Sequence, residues 1–216
     1  MTNTSMQISP RWQKVIENII WREDPKKGFD SLINVPGDRG GWTRAGISTP
    51  EAIRFFKFGS YDYLKQLTKE EIIEYYWSEH IVRPKFDILL EPLDELIVDF
   101  SVTSGSDDAT KALQNALNSI SFGKGFTKLK VDGVFGPVTR KELADFLYIS
   151  ALGQTRNTTR MYQFIREFTR FRVKHYINIL EDQRAKKPDL PIGSEQCQIK
   201  FMEGWFERAY SFLPKD

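Results

Sequence analysis

The stretch Pro10-Arg-Trp-Gln-Lys-Val-Ile-Glu-Asn-Ile-Ile-Trp-Arg-Glu23, followed later by Asp38-Arg-Gly-Gly-Trp-Thr-Arg-Ala-Gly-Ile47, decides the start of this fold. Five apolar residues of the first stretch recur at the period of one helix face: Trp12, Val15, Ile16, Ile19 and Ile20. Glu23 falls on that same face, and Pro25 predicts that the helix ends directly after it. Desolvation and the negative end of the helix dipole would both favour a protonated Glu23, as a general acid requires, whereas a frayed last turn would leave it facing water.

The composition is that of a globular protein. The chain has 216 residues, of which 40% are apolar and 13% aromatic, enough for one domain or two small ones. No apolar run approaches the length of about 18 residues that suggests a membrane span. The polar residues 1–10 have neither the basic n-region nor the apolar h-region of a secretion signal. The net charge of +2 does not favour a nucleic-acid partner, and we expect the basic residues Arg166, Arg170, Arg172 and Lys174 to form a solvated helix face.

The scarcity of cysteine and histidine excludes several kinds of chemistry. One cysteine rules out an internal disulfide, and one cysteine with two histidines leaves little for a zinc site. Cys197 lies in a polar run without a nucleophile motif, and no phosphate-binding or dinucleotide glycine pattern is present. We therefore expect neither a metal nor an organic cofactor.

The capping residues and prolines along the chain predict a mainly α-helical protein. Helix starts are indicated at Ser9-Pro10, Thr49-Pro50, the Thr68 capping box, Leu93, Ser106 and Pro137, with two longer helices around 161–179 and 199–209 and a loop or short hairpin at 123–136. Residues 24–48 form the one long irregular segment, which we expect to be a small irregular or hairpin lobe. Structureless segments of this length in a compact domain tend to be functional.

This segment carries residues suited to glycoside hydrolysis. Asp38 stands beside a turn, Gly40-Gly41 allows a sharp reversal, and Thr43 follows five residues after Asp38 with a hydroxyl that can orient water. A glutamic acid that donates a proton and an aspartate that activates water or stabilises charge form the usual pair for cleaving a glycosidic bond.

The pattern Glu23, then Asp38-x-Gly40-Gly41-x-Thr43-x-x-Gly46-Ile47, resembles the signature of glycoside hydrolase family 108, the phage and bacterial N-acetylmuramidases. Other segments are similar to that family along most of residues 9–210. They are Tyr75-Tyr76-Trp77, Asp99-Phe-Ser-Val-Thr-Ser-Gly105, Ala112-Leu-Gln-x-Ala-Leu117, Val131-Asp-Gly-Val-Phe-Gly-Pro-x-Thr139 and Gly204-Trp-x-x-Arg208. The Asp132-Gly133 and Gly136-Pro137 pairs are also explained by a tight turn and a helix start, and Tyr76 and Trp77 by a core position.

The resemblance implies a lysozyme-like helical fold, with a catalytic region at 9–92 and a peptidoglycan-binding-like helical region at 93–216 packed with it as one compact unit. It implies an endolysin that hydrolyses the β-1,4 bond between N-acetylmuramic acid and N-acetylglucosamine of bacterial peptidoglycan. The alternatives are a lytic transglycosylase and a non-catalytic wall-binding or virion structural protein. We expect a monomer without a nucleic-acid partner or stable membrane insertion, made in the host cytoplasm and released to the periplasm and cell wall by a holin.

The resemblance also implies roles for single residues. Glu23 would protonate the leaving oxygen, Asp38 would activate water or stabilise the oxocarbenium charge, and Thr43 would help to hold the water. The expected substrate-binding residues are Gly40, Gly41, Trp42, Tyr76, Asp99 and Ser104. The chain departs from the family where Asp24-Pro25 replaces Gly-Gly-Tyr and where the gap from Glu23 to Asp38 is longer, so Asp30 is an alternative second carboxylate.

Overall fold

The computed structural model describes residues 8–34, 41–58, 60–120, 126–152, 157–194 and 196–214. Within these ranges the chain forms nine α-helices and one three-stranded antiparallel sheet. The predicted mainly α-helical fold is therefore confirmed. The chain divides into two compact units, residues 1–95 and 96–216. The predicted division of roles between residues 9–92 and 93–216 stays a prediction.

The first unit contains four α-helices: α1 (Pro10–Glu23), α2 (Thr49–Phe56), α3 (Tyr61–Gln66) and α4 (Lys69–Tyr76). α1 begins as predicted, because the Ser9 side chain caps the Trp12 amide and Pro10 occupies the first turn. The five apolar residues of its predicted face are all buried, and the helix ends before Pro25. α4 begins at the predicted Thr68 capping box and continues into a π-helical segment, Trp77–Val82, which the sequence pattern does not predict.

The predicted lobe at residues 24–48 contains the sheet. Its strands are β1 (Leu32–Asn34), β2 (Trp42–Arg44) and β3 (Ile47–Ser48), in the order β1-β2-β3. Ile33 pairs with Thr43 across the first ladder, and Thr43 pairs with Ser48 across the second. Ser48 then caps α2 through a reciprocal capping box with Glu51, so β3 leads directly into the helix.

The second unit is built from helices that pack against one another. They are α5 (Leu93–Ser104, which begins in the first unit), α6 (Ser106–Ile120), α7 (Pro137–Leu152), α8 (Asn157–Lys186) and α9 (Met202–Tyr210). α6 lies along α8, and their buried faces form much of this unit's core. The part of the predicted loop at 126–136 is irregular, and residues 121–125 lie outside the described residues.

The side chain of Gln114 holds the segment that follows this loop. Its amide accepts from the backbone N–H groups of Asp132 and Gly133 and donates to the Asp132 carboxylate and the Thr139 hydroxyl. The Asp132-Gly133 turn and the start of α7 at Pro137 therefore have the structural explanation that the sequence offered.

A buried ion cluster lies in the core of the second unit. Asp99 and Arg172 are both fully buried and pair at 2.7 Å, and Arg208 donates three hydrogen bonds of 2.7 to 3.0 Å to the same carboxylate. Burial alone would raise the pKa of Asp99, but the positive charges of Arg208 and Arg172 hold it below its usual value. Arg172 is therefore an interior residue and not part of the solvated basic face that we expected.

In the ranges that the structure describes, every helix is too short or too polar to cross a membrane.

Candidate active site

Glu23 is the last residue of α1, and its side chain is exposed. The buried part of the apolar face ends one turn earlier, at Ile20. The burial expected for Glu23 is therefore absent, because the chain leaves the core at this point. The remaining part of the expectation, a carboxyl group at the carbonyl end of the helix, is met.

The side chain of Glu23 lies beside the turn between β2 and β3. Ala45 and Gly46 form this turn with φ angles of 46° and 82°, the conformation of a two-residue hairpin turn with both central residues left-handed. A Cβ atom added to Gly46 would lie 2.5 Å from the Tyr76 hydroxyl oxygen, 3.5 Å from Glu23 Cγ and 3.9 Å from Glu23 Cδ. Gly46 thus leaves the space in which Glu23 and Tyr76 meet the hairpin, which explains the glycine at this point of the motif.

Tyr76 fixes the same turn from the protein interior. Its hydroxyl donates a 2.8 Å hydrogen bond to the Ala45 carbonyl, and its side chain is only 1% exposed. A ring in this position has no free face for a sugar. The expected substrate-binding role of Tyr76 is therefore replaced by a positioning role, because the ring lies in the core and only its hydroxyl reaches the site.

Asp24 organises the segment that replaces the family's Gly-Gly-Tyr. Its carboxylate accepts hydrogen bonds from the Ser31 hydroxyl at 2.8 Å and from the backbone N–H groups of Lys26 and Lys27. The Ser31 hydrogen bond is the largest cause that lowers the pKa of Asp24. The Ser31 carbonyl in turn accepts from the Ala45 amide at 2.8 Å, so the residue after Glu23 is linked to the hairpin turn. Sequence reasoning missed this role, although an aspartate just past a helix end commonly bonds the backbone two or three residues on.

His80 backs Tyr76 and is a second residue that sequence reasoning missed. It lies in the π-helical segment, and its ring centroid is 5.5 Å from that of Tyr76 and 5.7 Å from that of Tyr75. Burial lowers the pKa of His80 to about 4, so the imidazole is neutral near pH 7. No motif surrounds His80 in the sequence, and π-helical segments often occur at functional sites.

The other predicted residues of the lobe lie on β2 and beside it. Thr43 is half-buried, and its hydroxyl is 3.5 Å from the Ile33 carbonyl oxygen, at the limit of a hydrogen bond. Trp42 is exposed, and its ring meets that of Tyr61 at 4.5 Å. Gly41 precedes β2 and is half-buried. Asp38 and Gly40 lie outside the described residues.

Asp30, the alternative second carboxylate, lies in a short 3₁₀ turn that precedes β1. Its side chain is 89% exposed, and one carboxylate oxygen accepts from Arg44 at 3.4 Å. Asp30 is thus a solvated ion-pair partner of Arg44. Arg44 lies on β2, the strand that also carries Thr43.

The two remaining predicted residues belong to α5. Asp99 lies in the interior of the second unit, where both carboxylate oxygens are occupied by arginines, so it is not at a surface that glycan can contact. We therefore assign Asp99 to the stability of the fold and not to substrate binding. Ser104 is the last residue of α5 and is half-buried.

The described residues contain no group of three or more His, Cys, Asp or Glu side chains arranged to hold a metal ion. The described groups nearest Gly46 are the Glu23 side chain and the Tyr76 hydroxyl.

Comparison with known proteins finds similarity to a protein family and to a solved structure. The sequence model of the family described as Glycosyl hydrolase 108 matches residues 28–105, a range that includes Thr43, Gly46 and Tyr76 and begins after Glu23. The structure is similar to that of Brucella abortus SagA, with a TM-score of 0.61 and 20% sequence identity over 94% of this chain and 91% of that one. At this identity the likeness concerns the fold. No curated protein matches the chain in sequence. Residues 28–105 are therefore similar to glycosyl hydrolase family 108, and this match supports a glycoside hydrolase activity of the N-acetylmuramidase class on peptidoglycan.

Proposed function

We propose that this protein is a phage endolysin in which Glu23 is the general acid. The observation that carries the proposal is the close approach of the Glu23 side chain to Gly46, a glycine within the range that the family model matches. The turn is fixed from two sides, by Tyr76 through the Ala45 carbonyl and by Ser31 through the Ala45 amide. A carboxyl group beside a turn with this support is suited to protonate a glycosidic oxygen that binds there.

In the proposed mechanism the substrate is the β-1,4 bond between N-acetylmuramic acid and N-acetylglucosamine. Glu23 protonates the leaving oxygen while positive charge develops on the sugar ring. Asp38 activates the attacking water or stabilises that charge, and Thr43 helps to hold the water. The position of Asp38 in the sequence, five residues before Thr43, supports this assignment.

The proposed biological role follows from the resemblance to phage muramidases. The enzyme accumulates as a monomer in the cytoplasm of an infected bacterium and reaches the cell wall when a holin opens the membrane. Cleavage of the glycan strands then lyses the cell. In this role residues 93–216 hold the enzyme on peptidoglycan, while the lobe at 24–48 and α1 perform the hydrolysis.

The decisive experiment compares wild type with Glu23→Gln on purified peptidoglycan. Glutamine has nearly the same shape and cannot donate the proton, so turnover should fall by roughly 10²- to 10⁴-fold while the thermal midpoint stays unchanged. Glu17→Gln is the matched control, because Glu17 is a carboxylate of the same helix that pairs with Lys69 at 2.7 Å. A folded Glu23→Gln protein that keeps more than a tenth of wild-type lysis would contradict the assignment.

The masses of the released muropeptides distinguish hydrolysis from the alternative, lytic transglycosylation. Hydrolysis adds water and leaves a reducing N-acetylmuramic acid end, whereas a lytic transglycosylase leaves a 1,6-anhydro end. Reducing muramic acid ends support the proposal, and anhydro ends would replace it with the transglycosylase. Lysis of bacteria from outside and from inside, with and without a holin, tests the endolysin role separately.

A further inference from the structure

Trp42 and Tyr61 form an aromatic pair on the surface of the first unit. The two ring centroids are 4.5 Å apart with the planes inclined at 53°, and the residues are 37% and 40% exposed. Single exposed apolar side chains are common on protein surfaces, whereas adjacent exposed rings form a contiguous apolar patch of the kind that marks binding sites. The contact between the two rings makes them such a patch.

The backbone that carries each ring is held in place by the fold around it. The Thr49 hydroxyl donates to the Trp42 carbonyl at 3.0 Å, and the strand ladder pairs Trp42 with Asn34. On the other side, the Ser60 side chain caps α3 at the Tyr63 amide, which fixes the first turn of the helix that carries Tyr61. α3 packs directly on β2. A ligand would thus meet a preformed surface and would not have to order it.

The position of the pair relates it to the candidate active site. Trp42 lies next to Thr43 on β2 and three residues before Ala45, an extended distance of about 10 Å. That distance exceeds the width of one sugar ring. A glycan strand that passes Glu23 at the hairpin turn and follows β2 would therefore reach these rings with a sugar that is not part of the scissile bond.

The chemistry of the pair fits a pyranose ring. The face of an aromatic ring carries partial negative charge, and the axial C–H bonds on one face of a pyranose carry partial positive charge. The indole N–H of tryptophan and the hydroxyl of tyrosine can in addition bond sugar hydroxyl or acetamido groups. The angle between the rings lets one stack on a sugar face while the other contacts its edge.

We propose that Trp42 and Tyr61 form a distal subsite that binds a sugar of the glycan strand beyond the two residues flanking the cleaved bond. This proposal rests on the proposed function, since it needs a glycan strand at the hairpin turn. It makes the enzyme prefer long glycan strands to short ones. Tyr61 then contributes to substrate binding and not to the bond-cleaving step.

The test uses peptide-free oligosaccharides of alternating N-acetylglucosamine and N-acetylmuramic acid, one tetrasaccharide and one octasaccharide. Tyr61→Ala should raise the KM for the octasaccharide by roughly three- to tenfold, the worth of one aromatic contact, with kcat close to wild type. The preference for the octasaccharide over the tetrasaccharide should shrink by the same factor. Tyr61→Phe should keep the preference, because the ring remains.

The control is Ile88→Ala, since Ile88 is an apolar residue of the first unit that is 48% exposed and lies outside α1, α3 and the lobe at 24–48. Trp42→Ala is a second variant, accepted only if its thermal midpoint matches wild type. An unchanged octasaccharide preference in folded Tyr61→Ala would overturn the proposal, and so would equal losses for both substrates.

A binding measurement separates this proposal from the proposed function. Calorimetric titration of the octasaccharide into Glu23→Gln, with and without Tyr61→Ala, measures the subsite without turnover. A three- to tenfold weaker Kd in the double variant supports the subsite even if the wild-type protein releases no product. An equal Kd in the two proteins overturns the subsite even if hydrolysis by wild type is established.

Discussion

The Tyr76 hydroxyl and the Ala45 carbonyl are joined by a 2.8 Å hydrogen bond across 31 residues of sequence. This bond connects the buried end of α4 to the turn against which Glu23 packs. The same hydroxyl lies where a Cβ atom on Gly46 would stand. The position of the hairpin turn next to Glu23 therefore depends on Tyr76 and on the lack of a Cβ atom at Gly46.

Tyr76→Phe should reduce both stability and activity. The change leaves the Ala45 carbonyl without its buried donor, which costs about 1 to 3 kcal/mol, or roughly 2 to 10 °C in the thermal midpoint of a domain of this size. Because the turn then loses one of its two supports, kcat should fall severalfold while KM changes little. Thermal unfolding and steady-state kinetics on soluble peptidoglycan measure the two effects. Tyr75→Phe is the control, since the hydroxyl of that neighbouring buried tyrosine has no hydrogen-bond partner among the described residues; equal losses in both variants would contradict the role of Tyr76.

Gly46→Ala should be far more damaging than Gly41→Ala. Both glycines have positive φ angles, 82° and 64°, so the backbone strain of the substitution is similar. An added Cβ meets the Tyr76 hydroxyl at 2.5 Å and Glu23 at 3.5 Å at position 46, but at position 41 it has no atom of a described residue within 4 Å. The comparison therefore isolates the contact with the site from the strain. Lysis rates and thermal midpoints of the two variants measure it, and similar activity losses would show that the packing around Gly46 is unimportant.

The helices of this protein could be predicted from its sequence because their signals are local. Ser9-Pro10 and the Thr68 capping box mark helix starts by side-chain to backbone bonds within three residues, and the structure contains these bonds. The irregular or hairpin lobe was also predictable from its glycines. Gly46 could be recognised from the sequence as part of the family motif. The physical need for glycine there could not, because Glu23 and Tyr76, which approach it, lie in distant parts of the chain.

The errors of the sequence analysis have a common physical cause. Glu23 follows an apolar helix face but is exposed, because periodicity does not show where a helix leaves the core. Asp99 resembles a binding residue but is buried, because its arginine partners lie 73 and 109 residues further along the chain. Burial of a charged group depends on such partners, and a single sequence does not reveal them.

His80→Phe should remove part of the acid sensitivity of the fold. Burial lowers the pKa of His80 to about 4, whereas the unfolded chain protonates it near its ordinary pKa of about 6.5. Between these values the unfolded state binds more protons than the folded one, so stability falls as the pH falls from about 6.5 to about 4, by at most about 3 kcal/mol. Below about pH 4 both states are protonated and this loss stops.

Phenylalanine keeps the ring contacts with Tyr75 and Tyr76 but does not titrate. Urea unfolding at pH values from 7.5 to 3.5 should therefore give a flatter stability profile for His80→Phe than for wild type. His175, whose pKa is also lowered by burial, is present in both proteins and cancels in the comparison. Parallel profiles would mean that His80 is not the neutral, buried group described above.

The identity of the second carboxylate is the remaining question about the site, and two single substitutions answer it. Asp38→Asn should lower turnover by roughly 10²-fold or more, because a positioned carboxylate that activates water contributes at that scale. Asp30→Asn should change turnover less than about threefold, since it removes only an exposed pair with Arg44, and such pairs contribute less than about 1 kcal/mol. Initial rates on soluble glycan strands measure both variants. A large loss in Asp30→Asn alone would mean that the lengthened segment delivers Asp30 to the substrate and that Asp38 is a turn residue. If both variants keep wild-type rates, Glu23 acts without a carboxylate partner, and anhydro ends should then appear among the products.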